Sequence, residues 1–426
     1  MSSVYMLIKL AVKSLRDRKG SIVLSIIAMT VSVFVLLGVE HIRHQTKESF
    51  ANTVSGVDLI VGARTSSLNL LLYSVFKMGS PTNNISWQSF EKIARDPKVK
   101  WAIPLSLGDS HKGFRVLGTD HTYFQYFSYG NQHSLLFEKG SVFGSVFDVV
   151  LGYQVADKLG YQLGDKIVLA HGIAKTSFSL HADKPFTIVG ILAPTGTPVD
   201  QTLHVSLQGI EAIHFDGESV NASQTTSINK KYHQHKQPAF VHLQPKSITA
   251  LMLGLKSKMS TFKVQRDINN DTQEPLLAIL PGVALSELWQ MMRILESTLF
   301  LVSILVFISA SLGVSAMLLS SIKQRTKEMQ LLRVIGAPPL FLFLLIELEA
   351  LCIAIISSIL GVAILIISLS FAQSYLASYF GLQISVNIFS LTTLTLIIGM
   401  LCVSLMVATI PSIVGYVQSK KHTIFD

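Results

Sequence analysis

Cysteine is almost absent from this 426-residue sequence. The two cysteines, Cys352 and Cys402, both lie inside long apolar runs. The long region between the first and second apolar runs therefore has none, which excludes a disulfide framework and a cysteine-based metal site there. With about 250 residues, that region is still long enough to bury a core without covalent cross-links.

Charge is also scarce, at 14% of residues, whereas 49% are hydrophobic. Soluble domains carry roughly 25% charged residues, so the composition indicates a membrane protein. Four runs are apolar over the roughly 20 residues that a bilayer crossing needs. They predict membrane helices at 21–42, 291–322 (a stalk and the second helix), 340–372 and 389–411. The first run lacks an A-x-A-like cleavage site at its end and is predicted to be a retained helix rather than a signal peptide.

Basic residues near the ends of these helices predict the orientation. Lys13, Arg16, Arg18 and Lys19 precede the first helix, in a predicted amphipathic N-terminal helix over 1–20. The loop 323–339 is basic, whereas the short loop 373–388 carries no charge. By the positive-inside rule, both termini (the tail is 412–426) and the 323–339 loop face the cytoplasm. Residues 43–290 then face the periplasm. The net charge of +9 follows partly from this topology, and no nucleic-acid partner is expected.

Strand and helix patterns alternate between residues 43 and 290. Val149–Leu151 is a predicted strand, Tyr153–Leu159 a helix that Gly160 ends, and Phe186–Leu192 another strand. A helix is predicted over Ser247–Met259. The predicted fold class is an α-helical membrane protein with four transmembrane helices and a large α/β (βαβ-type) periplasmic domain between helices 1 and 2.

The usual catalytic motifs are absent. No phosphate-binding G-x-x-x-x-G-K-[ST] loop exists, and the chain contains no Gly-Lys pair. G-x-S-x-G and H-E-x-x-H are missing as well. The chain is therefore predicted to have no catalytic residues, and it cannot hydrolyse ATP in the P-loop manner.

Histidine pairs and two membrane acids are the remaining polar candidates. His41 and His44 lie one turn apart, and His233 and His235 flank Gln234. Such pairs can bind Zn²⁺, but solvated or hydrogen-bonded histidines are the simpler interpretation, and no metal site is predicted. Glu347 and Glu349 lie about two turns inside the third helix. We expect them to pair with a basic residue of the 323–339 loop, with a proton or substrate role as the alternative.

The loop 323–339 reads KQRTKEMQLLRVIGAPP. Met329, Leu332 and Ile335 recur every three residues and predict an apolar stripe on a helix of about three turns. Gly336 and the prolines after it end the helix. On these grounds the segment is either a passive interfacial helix or a surface that docks onto a cytoplasmic partner.

Residues 325–337 resemble the coupling segment of the MacB/LolCE/FtsX-like ABC transporter permeases, whose pattern is close to R-x-x-E-[IM]-x-x-[LM]-[RK]-x-[LIVM]-G-A. Segments 11–20, 61–72 and 188–205 also resemble parts of these permeases, as does Glu349-Ala350. The resemblance implies a type VII, mechanotransmission permease without a fused ATPase. It assigns the ATPase-coupling role to Arg325, Glu328, Met329, Leu331, Leu332, Arg333, Gly336 and Ala337.

The same resemblance implies the partners and the location. We expect a cytoplasmic ABC ATPase dimer, which holds ATP and Mg²⁺, a second permease copy or a paralogue, a periplasmic substrate-binding or adaptor protein, and membrane lipid. No cofactor is expected on this chain. The expected location is the bacterial inner membrane.

The implied function is to pass ATP-driven motion to the periplasmic domain, and so to export, extract or hand over a lipoprotein, peptide or small molecule. An FtsX-like signalling subunit that activates a periplasmic enzyme is the alternative, and a component of a zinc transport system is a minor one. The long periplasmic region favours transport, since the FtsX type is smaller.

Overall fold

A computed structural model describes residues 19–53, 55–171, 184–214, 244–324, 336–380, 385 and 387–421. The chain forms two compact units. One comprises residues 1–46, 292–375 and 384–426, and the other comprises 47–291 and 376–383. Of the predicted N-terminal helix, only Lys19 and Gly20 fall in the described part, so Lys13, Arg16 and Arg18 lie outside it.

The first unit consists of long helices. Within the described residues, four helices are long and apolar enough to cross a membrane, as predicted. Their bounds are α1 Lys19–Asn52, α8 Pro281–Gln324, α9 Pro339–Phe380 and α10 Leu391–Lys421. Both α1 and α8 extend well beyond the predicted membrane segments. The 44 residues of α8 form one helix, which confirms the prediction that the stalk continues into the second membrane helix.

Small residues let these helices approach closely. A Cβ on Gly361 of α9 would lie 2.8 Å from Cγ1 of Val33 in α1. The Ser357 hydroxyl of α9 donates to the carbonyl of Ile26 in α1 at 3.3 Å. The Ser315 hydroxyl of α8 likewise donates to the carbonyl of Val407 in α10 at 3.0 Å. Membrane helices associate through such small and hydroxyl-bearing residues, because lipid offers no hydrophobic drive for their packing.

The second unit is a mixed α/β domain. Its helices are α2 Ser67–Ser74, α3 Trp87–Ala94, α4 His121–Tyr126, α5 Tyr153–Leu159, α6 Leu207–His214 and α7 Thr261–Asn269. Its strands are β1 Leu59–Ala63, β2 Ile85–Ser86, β3 Val99–His111, β4 Phe114–Thr119, β5 Ser128–Tyr129, β6 His133–Ser134, β7 Phe137–Gly140, β8 Asp148–Leu151, β9 Lys166–Ile167, β10 Ala170–His171, β11 Phe186–Leu192, β12 Thr202–Ser206, β13 Ser247–Ile248, β14 Ala250–Leu255 and β15 Leu276–Ile279.

One 11-stranded sheet organises the domain, in the order β15-β1-β14-β3-β4-β12-β8-β11-β7, with β10 on β3 and β9 on β11. Two pairs are parallel, β8 with β11 and β4 with β12. The chain from β8 through α5 to β11 is thus a βαβ-type unit, as predicted. The other pairs in this sheet are antiparallel.

The helix predicted over Ser247–Met259 is wrong. Strands β13 and β14 cover most of that stretch, and β14 lies between β1 and β3 in the sheet. All six residues of β14 are buried, so both faces of the strand contact the core. A strand that is buried on both faces reads as a continuous apolar run, and such a run has neither the helical nor the alternating period.

Candidate functional site

The predicted coupling segment is only partly described. Arg325, Glu328, Met329, Leu331, Leu332 and Arg333 lie outside the described residues, whereas Gly336 and Ala337 lie inside them. Gly336 has φ +99°, a left-handed value that side chains disfavour. Because α8 ends at Gln324 and α9 begins at Pro339, the segment joins the second and third membrane helices directly. The helix that Gly336 is predicted to end lies outside the described residues, so the coupling segment stays a prediction.

The two acids of α9 have different surroundings. The Glu349 side chain is buried. The Glu347 carboxyl interacts with the hydroxyl of Ser412, a fully buried residue of α10. Its Oε1 atom is buried without a hydrogen-bond partner among the described residues. The contact with Ser412 was not predicted. Of the basic residues of the 323–339 loop, which were the predicted partners, Lys323 lies inside the described part of the chain, and Arg325, Lys327 and Arg333 lie outside it.

His41 makes a contact within the first unit. Its Nε2 atom lies 2.8 Å from the carbonyl oxygen of Ser385, and the side chain is buried. One turn further along α1, the Gln45 amide oxygen accepts from the backbone N–H of Ser385 at 3.3 Å. The end of α1 therefore holds the connection between α9 and α10. His44 is exposed, and His233 and His235 lie outside the described residues. Within the described part, no group of three or more His, Cys, Asp or Glu residues could hold a metal ion.

Helices α1 and α8 contact each other in both units. In the first unit, the Arg43 guanidinium of α1 lies over the Phe300 ring of α8, 5.7 Å from its centroid. In the second unit, the Lys47 ammonium lies 5.7 Å from the Trp289 ring centroid. The Phe50 ring lies 5.6 Å from Trp289, edge to face. Aromatic and cation–π pairs of this kind each add about 0.5–1.5 kcal/mol, so the two helices form a joined stalk.

The outer end of the stalk packs into the core of the domain. Ala284, in the first turn of α8, is buried in one cluster with Leu70 and Phe76. The Ser67 hydroxyl, at the start of α2, donates to the Glu287 carboxylate of α8 at 2.5 Å. Contacts with α2 therefore fix the position of the start of α8 in the domain. Helix α2 begins within residues 61–72, a segment that resembles part of the permeases but to which the sequence analysis assigned no role.

Comparison with known protein families gives two matches. The description "MacB-like periplasmic core domain" matches residues 21–270, and "FtsX-like permease C-terminal" matches residues 300–416. The chain belongs to the MacB/FtsX-like family of ABC transporter permeases. It is accordingly a multi-pass membrane protein with a periplasmic domain. As a permease component, it is not itself a catalytic enzyme.

Among solved structures, the chain is similar to the extracellular domain of the noncanonic ABC-type transporter YknZ from Gram-positive bacteria. The identity is 11%, the match covers 52% of this chain and 98% of that chain, and the TM-score is 0.30. The family assignment rests on the two domain matches alone. No curated protein matches the chain.

Proposed function

We propose that this permease passes ATP-driven motion from a separate cytoplasmic ATPase dimer to its periplasmic domain. The domain then exports, extracts or hands over a substrate such as a lipoprotein, peptide or small molecule. In this proposal the chain contributes the contact surface, the transmitting helices and the working domain. The ATPase binds ATP and Mg²⁺, and a second permease copy or a paralogue completes the complex.

The main support for this proposal is that α8 is one unbroken helix. The helix runs from the domain core to Gln324, next to the predicted coupling segment. An α-helix without a proline or π-bulge bends only gently, so a displacement at one end moves the other end. Its rise of 1.5 Å per residue gives the 44 residues a length of about 66 Å, longer than a bilayer with its headgroups. One element can thus connect a cytoplasmic contact to a periplasmic domain.

The coupling surface can be tested with Glu328→Lys and Gly336→Val. The first change reverses a charge that the family pattern contains. The second places a β-branched side chain at φ +99°, which costs roughly 1–2 kcal/mol locally. We expect both variants to fold and insert, but to lose either co-purification with the ATPase or the effect of ATP on the domain. Hydrogen exchange of residues 47–291, with and without ATP, measures that effect.

Matched changes elsewhere serve as controls. A Cβ on Gly20 meets no atom within 4 Å, and Glu138 is exposed in the domain, so Gly20→Val and Glu138→Lys should behave as wild type. If Glu328→Lys and Gly336→Val both kept wild-type assembly and the ATP response, the coupling assignment would be wrong.

A further inference from the structure

A cavity of about 490 Å³ lies at one end of the sheet of the second unit. The parallel strands β4 and β12 both end there, with Thr119 paired to Ser206. Strands β8 and β11 begin at the same end, with Asp148 paired to Thr187. The side chains that give the cavity its chemistry are Asp120, His121, Phe143, Phe147 and Asp148. In α/β domains ligands bind where parallel strands end, so this cavity is a candidate binding site.

Two carboxylates line the cavity from different strands. Asp120 follows β4 and Asp148 begins β8, and β12 lies between these two strands. Adjacent strands lie about 4.8 Å apart, so the two acids branch from backbones about 10 Å apart. The Asp120 Oδ1 atom accepts from the Thr122 N–H at 3.0 Å. The Asp148 Oδ2 atom accepts from the N–H groups of Gly144 and Ser145 at 2.9 and 2.7 Å. The cavity therefore has two anionic groups whose positions are fixed by hydrogen bonds.

No Lys or Arg side chain balances these charges among the described residues. Neither acid forms a salt bridge with one, and none of the described residues that line the cavity is Lys or Arg. Burial raises the pKa of Asp120, although its bonds with Thr122 and the neighbouring His121 act in the opposite direction. A carboxylate that has lost part of its water is costly without a counter-ion, so a bound cation would lower that cost.

Aromatic rings form another part of the cavity wall. The Phe143 side chain is buried, and its ring centroid lies 5.2 Å from that of His121. Ring faces attract cations and also pack against aliphatic chains. Asp120, His121 and Asp148 do not form a group that could hold a metal ion. The lining therefore suits a cation carried on an apolar chain rather than a compact metal ion.

We propose that this cavity binds an organic cation, which is an ammonium or guanidinium group on an aliphatic chain. The carboxylates of Asp120 and Asp148 accept charge-assisted hydrogen bonds from the cationic group. The rings of Phe143 and Phe147 contact its aliphatic chain. A basic side chain of a peptide and a free diamine or polyamine share this chemistry. The site lies wholly within the second unit, and binding there requires neither the ATPase nor transport.

Isothermal titration calorimetry of the full chain tests this binding. The chain is held in nanodiscs of phosphatidylcholine, which has no net charge and so does not collect cations. The cationic probes are the diamine cadaverine and the peptide acetyl-Ala-Lys-Ala-amide. Each has a neutral analogue, pentanediol for the diamine and the norleucine peptide for the lysine peptide.

Variants of the two acids locate the binding. Asp120→Asn and Asp148→Asn each remove one negative charge and keep an acceptor oxygen for the backbone N–H groups. Asp165→Asn is the matched control, because Asp165 is exposed and accepts from the Gln162 N–H at 2.8 Å outside the cavity.

We expect at least one cationic probe to bind, and its neutral analogue to bind about tenfold more weakly or not at all. The probe that binds identifies the source, a free amine or a peptide side chain. Each cavity variant should lose a similar factor in affinity, whereas Asp165→Asn should bind as wild type does. Failure of both cations to bind, or equal affinity for the neutral analogues, would overturn the proposal. The comparison with the analogues uses the wild type alone, so it decides the question even if a variant fails to fold. No ATPase takes part, so a negative result would leave the proposed function untouched.

Discussion

Two nitrogen bases lie buried in the periplasmic domain. Lys77 lies just after α2, and its ammonium donates to the carbonyl of Ser74 at 2.6 Å. Burial lowers its pKa to about 7. His204 of β12 is fully buried, 5.2 Å from the Tyr123 ring, and neither ring nitrogen has a hydrogen-bond partner among the described residues. Burial first, and then the charge of Lys77, lower the pKa of His204 to about 3. The core therefore contains a neutral imidazole that resists protonation.

His204 should make the domain sensitive to acid. The imidazole takes up a proton near pH 6.5 in the unfolded chain but only near pH 3 in the folded one. The unfolded state binds more protons between these values, so stability falls as the pH drops through that window, by about 1.4 kcal/mol per pH unit. We expect His204→Leu to remove this slope. Denaturant unfolding followed by tryptophan fluorescence measures it, because Trp87, Trp101 and Trp289 all lie in residues 47–291.

The exposed His133 offers the control for that experiment, since His133→Leu removes an imidazole from the surface of the same domain. The free energy of unfolding of His133→Leu should fall with decreasing pH as steeply as that of the wild type. An unchanged slope in His204→Leu would mean that other groups cause the loss of stability in acid.

Elements whose ends depend on one residue were predictable from the sequence. Helix α5 ends at Leu159, as predicted, because Gly160 takes φ +67°. Gly336 takes φ +99°, but the helix predicted before it lies outside the described residues. The sequence could not reveal β14, whose burial on both faces removes any period. It also could not reveal the bond from Ser67 to Glu287, because the spacing of residues 220 positions apart says nothing about their contact.

The stalk is the element on which transmission should depend. Arg293 is an exposed residue of α8, so a change there removes no packing. Arg293→Pro deletes a backbone hydrogen bond and kinks the helix, at a cost of about 3 kcal/mol. We expect this variant to fold, insert and bind the ATPase, but to lose the ATP-dependent change in hydrogen exchange of residues 47–291. Arg293→Ala keeps the helix and should keep the response. A full response in Arg293→Pro would show that an unbroken α8 is not required.

At the scale of the whole molecule, the large domain favours transport over signalling. Its size, with an 11-stranded sheet among the described residues, is the reason that we propose transport. In a complex reconstituted with its ATPase, we expect a lipoprotein or peptide cargo to stimulate ATP hydrolysis and to move in an ATP-dependent manner. If a periplasmic hydrolase were activated while no cargo moved, transport would be abandoned in favour of the signalling alternative.

The contact between Phe50 and Trp289 has a consequence for the history of such proteins. These two rings, 5.6 Å apart, lie where the chain enters the domain and where it leaves. A domain whose ends are neighbours can be inserted, removed or exchanged without stretching the chain that it interrupts. Recombination of a single gene segment can therefore place a new periplasmic domain between the same membrane helices. The same junction is the natural place to build chimaeras between relatives that handle different cargo.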